Sequence, residues 1–110
     1  MEKISFEEFK KVNLLVGQIK EAEKISGKDK LYKLKIDIGR GALVQLIAGI
    51  APYYSIEELI NKKIILVENL QPAKIGGEVS NGMLLAADDK KGKVVLLTVD
   101  RDVEVGAEAR

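Results

Sequence analysis

The chain has 110 residues, 46% hydrophobic and 32% charged, with a formal net charge of +1 and a mean hydropathy of +0.00. That length and balance suit one small core and exclude a disordered tail or a membrane-spanning protein, and a charge so near zero excludes a polycation that coats nucleic acid by charge alone. Neither cysteine nor histidine is present, which removes disulfides, thiolate chemistry, the usual zinc sites and the commonest general base at neutral pH.

In chain order, SFEEFKKV opens with Ser5 and Glu8 at capping-box spacing, and Phe6, Phe9 and Val12 recur on one side of a short helix. NLLVGQIKEAEKI predicts a long first strand, bent or bulged at Gly17. LYKLKIDI alternates cleanly and places Tyr32, Leu34, Ile36 and Ile38 on the buried face of a second strand. Gly39-Arg40-Gly41 predicts a tight hairpin into ALVQLIAGI, a third strand apolar enough to be covered on both sides. Ser55 and Glu58 form a second capping box, hence a helix of one or two turns, and KKIILVENL reads as the fourth strand.

The stretch NLQPAKIGGEVSNG, residues 69–82, is dense in turn-forming residues and reads as an irregular loop. MLLAADD then supplies a fifth strand, and KVVLLTVDRDVEVG one or two more beyond a turn at Asp88-Asp89-Lys90-Lys91-Gly92. That acidic pair suits a charged hairpin tip better than an acid/base dyad. With no catalytic constellation, a binding domain rather than an enzyme is expected, without cofactor or metal. No apolar run nears the roughly 20 residues that cross a bilayer, and MEKISFEEF lacks the apolar core of a secretion signal, so a cytoplasmic protein with no membrane partner is expected.

Three strands, a short helix and two more strands is the order of the OB-fold, a five-stranded Greek-key barrel, here with extra C-terminal strands; one domain over residues 1–110 is the natural parse. Such barrels bind oligonucleotides on the face of strands two and three and on the loops joining strands one to two and four to five. In this chain those loops are KISGKDKLYK and the segment after Asn69.

FEEFKKVNLLVGQI, KDKLYKLKIDIG, IAGIAPYY, NLQPAKI and SNGMLLAA, in that order and spacing, resemble the tRNA-binding domain family. Its members include the C-terminal domain or beta subunit of methionyl-tRNA synthetase, free-standing structure-specific tRNA-binding proteins and the CsaA-type chaperone. The family hallmarks fall on Asn69, Leu70, Pro72, Ser80, Gly82 and Met83, and on Asp29, Lys30 and Leu31. The resemblance implies a homodimer that touches the outside corner of tRNA, with methionyl-tRNA synthetase as a partner. A CsaA-like dimer binding unfolded polypeptides is the alternative.

The expected tRNA-binding residues are Lys30, Lys33, Asn69, Lys74, Ser80, Asn81 and Met83. Lysines neutralise phosphates, while Ser80 and Asn81 offer hydrogen bonds to phosphate or 2′-OH oxygens. A core or interface role is the competing reading for Met83, and backbone satisfaction the competing one for Asn69, Ser80 and Asn81. Typical members carry basic residues where this chain has Leu15, Val44, Ala73 and Gly76, and a glutamate where it has Val79.

Overall fold

The computed structural model describes residues 1–110. Helix α1 (Phe6–Phe9) is stopped from fraying by its capping box: the Ser5 hydroxyl accepts the Glu8 amide at 3.1 Å and the Glu8 carboxylate accepts the Ser5 amide at 3.2 Å. Its apolar side does not join the core, and Phe6 stays 69% exposed. Strands β1 (Leu14–Ile25) and β2 (Lys28–Asp37) form a long antiparallel hairpin, and β3 (Val44–Ala48) continues the sheet. Helix α2 (Ile56–Leu59) follows, with the same Ser–Glu box at Ser55 and Glu58; the Ser55 amide and hydroxyl hold the Glu58 carboxyl below the usual carboxylate range. Strand β4 (Lys63–Val67) then pairs with the first half of β1.

The remaining strands are short: β5 (Ala73–Ile75), β6 (Glu78–Ser80), β7 (Met83–Leu84), β8 (Ala86–Asp88), β9 (Val94–Leu96) and β10 (Glu108–Ala109). The main sheet runs β3-β2-β1-β4-β7, with β10 added beside the start of β1. It curls shut because the chain ahead of β7 returns to β3. There the Asn81 amide donates to the Gln45 carbonyl at 2.9 Å and the Ile47 amide donates to the Ser80 hydroxyl at 3.0 Å. The result is the expected mostly-β, OB-like barrel with short helices.

Inside it, Leu15, Ile19, Leu34, Ile36, Leu46, Ile64 and Leu66 are almost completely buried, and Leu59 of α2 plugs one end. The alternation read from LYKLKIDI is the one observed, with Tyr32, Leu34, Ile36 and Ile38 all buried. Tyr32 also donates its hydroxyl to the Tyr54 carbonyl at 2.7 Å, while the Tyr54 hydroxyl accepts the Leu96 amide at 3.0 Å, tying β9 to this end.

Four local expectations change. The bulge in β1 falls between Ile19 and Glu21, leaving Lys20 as the extra residue, and Gly17 instead makes room: a Cβ there would lie 2.5 Å from Ile36 Cγ2. The β2–β3 connection is a wider loop over residues 38–43 rather than a tight turn. The punctuated stretch is not irregular throughout, since β5 and β6 form a hairpin around Gly76 and Gly77, whose φ angles of 60° and 84° suit a two-residue turn with the twist strands require. MLLAADD is split, because Leu84 pairs with β4 whereas Ala86–Asp88 pairs with β9.

The acidic pair does sit at a hairpin tip, with Asp89 Oδ1 accepting the Lys91 and Lys93 amides at 2.9 and 3.0 Å.

Closure leaves no room at Gly82, where a Cβ would stand 2.6 Å from the Val67 carbonyl oxygen and 3.2 Å from Leu46 Cδ2. The nearer atom is backbone of a central strand and cannot step aside. Gly82→Ala is expected to lower stability by about 1–3 kcal/mol, read as a fall in the urea midpoint. An unchanged midpoint would show that the seam is looser than described.

Candidate nucleic-acid interface

The β1–β2 and β5–β6 hairpins meet at their tips. Across the first, Lys24 stands opposite Tyr32 but Ile25 opposite Lys28, so Asp29, Lys30 and Leu31 bulge from β2. The second tip rests on this bulge: a Cβ on Gly76 would be 2.6 Å from Leu31 Cδ1 and 3.5 Å from Lys28 Cγ. Its φ of 60° and this close approach both favour glycine there. Beside the junction lies a cleft of about 310 Å³ bordered by Lys24, Lys28, Asp29, Leu31 and Tyr32.

Of the expected contact residues, Lys30 and Lys74 are exposed and neither takes part in an ion pair. The register of the β5–β6 hairpin pairs Lys74 with Val79, both exposed, while Ser80 on the alternate side is buried. Lys74 therefore points away from the barrel. Asn81 is exposed and its side-chain amide makes no hydrogen bond within the chain. Met83 is 51% exposed, so the core alternative for it is excluded. Lys24 and Lys28, which are not among the expected contact residues although Lys28 belongs to the lysine-rich KDKLYKLK, are also exposed and unpaired at the same junction. Their closeness to Lys30 in KISGKDK was the signal available, but only the packing of Gly76 on Leu31 brings Lys74 to the same edge of the molecule.

The other three expected residues are occupied. Ser80 is 2% exposed; its hydroxyl accepts the Ile47 amide and donates to the Gly82 carbonyl at 2.9 Å, which commits its proton and one lone pair inside the barrel seam. It does not face solvent, where a phosphate would be. Asn69 accepts the Asn13 amide at 2.8 Å and donates to the Lys11 carbonyl at 2.6 Å, so it pins the chain as it enters β1. Lys33 lies between Glu23 at 3.1 Å and Glu78 at 3.4 Å. The Glu23 carboxylate first, and Glu78 next, hold its ammonium above the usual lysine range. Its charge is already matched.

Fold and junction together define a small β-barrel with an unpaired basic ridge, the electrostatic footprint of a nucleic-acid-binding domain. Residues 14–108 match the family described as "Putative tRNA binding domain", and the chain belongs to that family. The methionine–tRNA ligase of Caldanaerobacter subterraneus subsp. tengcongensis is 55% identical over 104 residues, covering 94% of this chain but only 16% of the ligase. Among solved structures, the MetRS-related protein of Pyrococcus horikoshii superposes with a TM-score of 0.92 at 43% identity over the whole of both chains. The chaperone CsaA of Bacillus anthracis superposes with a TM-score of 0.89 at 28% identity, over 99% of this chain and all of that one.

Ser80 thus carries a fold role. Ser80→Ala leaves the Ile47 amide and the Gly82 carbonyl without their buried partner and is expected to cost about 1–3 kcal/mol of stability, measured by urea denaturation. A variant as stable as the parent would return the hydroxyl to the set of free ligand-binding groups.

Proposed function

We propose that the chain is a non-catalytic tRNA-binding module that grips the sugar-phosphate backbone at the ridge where its two hairpin tips meet. The observation that carries this reading is the convergence of Lys28, Lys30 and Lys74, none of them ion-paired, around a junction whose glycines let a backbone approach closely. Family membership over residues 14–108 and the identity to methionine–tRNA ligases support tRNA as the ligand. The module's work is to raise the tRNA affinity of a methionyl-tRNA synthetase catalytic unit, in the cytoplasm, leaving chemistry and tRNA identity to that unit. No helix here is long and apolar enough to cross a membrane.

A CsaA-like polypeptide-binding role draws on the similarity to CsaA and on an apolar groove of about 540 Å³ between α1 and β10, lined in part by Phe6, Phe9 and Val12. The tRNA reading has the stronger support, because the unpaired cations at the ridge suit phosphate and give an apolar peptide nothing.

Changing Lys28, Lys30 and Lys74 together to Ala is expected to weaken binding to all tRNAs alike. It should also flatten the dependence of log K on log salt by about 0.7–0.9 for each phosphate that is no longer neutralised. Unchanged affinity and slope in a filter-binding titration would remove the ridge from the interface.

We also propose a homodimer. The outward side of β9 and the residue after it expose Val95 and Leu97 at 46% and 38%, while Leu96 between them is buried, leaving an apolar edge that self-association would cover. Sedimentation at micromolar concentration is expected to show a dimer that Val95→Glu with Leu97→Glu converts to monomer. A parent that sediments as a monomer throughout that range would contradict this.

A further inference from the structure

The outer face of β2 and β3, where a barrel of this kind usually meets a nucleic-acid strand, is covered here by the chain's own β5–β6 hairpin. Burial along β3 reveals the cover: Leu46, Ile47 and Ala48 are all buried although successive strand residues point to opposite faces. Leu46 points into the barrel with Leu34, its partner on β2. Ile47 points the other way and is still only 5% exposed, because β6 lies over it.

The polar side chains on that outer face are engaged by the same hairpin or by one another. Gln45 donates to the Val79 carbonyl at 2.8 Å and accepts the Lys35 ammonium at 2.7 Å. Lys33, opposite Ile47 on β2, bridges Glu78 of β6 to Glu23 of β1. Its ammonium is thus the one ionic link from the β1–β2 hairpin to the β5–β6 hairpin.

We propose that Lys33 is a positioning residue for tRNA and not a contact: it clamps the β5–β6 hairpin onto β2 and β3, closing that face to RNA and holding Lys74 in line with Lys28 and Lys30. Hydrogen bonds from Gln45 and through the Ser80 seam hold the far end of the hairpin, but Lys33 is its one charged tether to the β1–β2 hairpin, and a tip that swings out carries Lys74 away from the other two cations. A two-carboxylate environment also suits a clamp better than a phosphate site, since the Glu23–Lys33–Glu78 group has a net charge of −1 and repels a third anion. This inference rests on the tRNA reading above for its functional half only.

The test uses Lys33→Met, Glu78→Gln and the exchange Lys33→Glu with Glu78→Lys, which keeps the same three charges in the cluster. Each is measured by tRNA titration across salt concentrations and by amide hydrogen exchange over residues 73–80. As a positioning residue, Lys33 gives a distinctive pattern: both single variants bind tRNA about threefold to tenfold more weakly with an unchanged salt slope, both speed exchange in the hairpin, and the exchanged pair restores affinity. The sign for Glu78→Gln is decisive, because it removes a negative charge yet is expected to weaken binding.

If Lys33 touches phosphate instead, Lys33→Met flattens the salt slope and Glu78→Gln tightens binding, and the proposal is overturned. Unaltered hairpin exchange in both single variants overturns it as well, whatever the RNA does. A parent chain that binds no tRNA, with the hairpin still loosened by Lys33→Met, defeats the tRNA reading and leaves the clamp established.

Discussion

The hydroxyl of Ser80 is the point on which the rest of this structure turns. A curled sheet must join its first and last edges, and here the joining residues are not two full strands but β3 and the bend between β6 and β7. Backbone pairing alone leaves the Ile47 amide facing a residue that has turned away. The Ser80 oxygen accepts that amide and its hydroxyl donates to the Gly82 carbonyl, so one small side chain stands in for a missing rung of the ladder. Gly82 lets the bend press against the Val67 carbonyl, and Leu84 two residues later drops into the core. The segment that presents Lys74, Asn81 and Met83 to solvent has a fixed shape because this seam is closed beneath it.

Much of the barrel was legible in the sequence. Tyr32 to Ile38 alternate with a period that only a half-buried strand satisfies, and the serines at 5 and 55 with glutamates three residues on specify helix starts by local chemistry alone. The β5–β6 hairpin was not legible, because its strands are too short to show a period and its Gly-Gly turn looks like any loop. The split of MLLAADD was hidden for a different reason: Leu84 and Ala86 are similar in kind, and only the partner strands available on either side make the chain change sheets between them.

The site was less legible than the fold. A serine or asparagine in a glycine-rich segment serves equally well as a ligand donor or as a backbone cap, and the choice depends on groups far away in the chain. Asn69 is claimed by Lys11 and Asn13, and Ser80 by Ile47. Charge has the same ambiguity: Lys33 is held by carboxylates from two other strands and Lys63 by Asp102 of the loop before β10, with the Lys63 ammonium keeping the Asp102 carboxyl below its usual range, whereas Lys28, Lys30 and Lys74 are not held at all. Two of the departures from the family pattern fall on the tip and second strand of the β5–β6 hairpin. At Gly76 the φ of 60° suits glycine and the tip packs on Leu31, and at Val79 an apolar residue opposite Lys74 leaves that lysine free where a glutamate would pair with it.

As the proposed contact surface, a ridge with so few free cations sets the kind of binding the module can offer. Each phosphate neutralised contributes through the release of counterions, so an interface built on a small number of lysines is weak by itself and nearly blind to sequence. Weak, sequence-blind binding has little use in an isolated domain, since every nucleic acid in solution competes for it. Joined to a second copy or to a catalytic unit that already holds the same tRNA, the second contact forms at an effective concentration far above that of free tRNA, and a modest ridge then suffices. On the function proposed above, the demand on the barrel is rigidity more than affinity: the lysines must sit where a tRNA already held elsewhere will bring its backbone. The closed seam at Ser80 and the packing of Gly76 on Leu31 meet that demand.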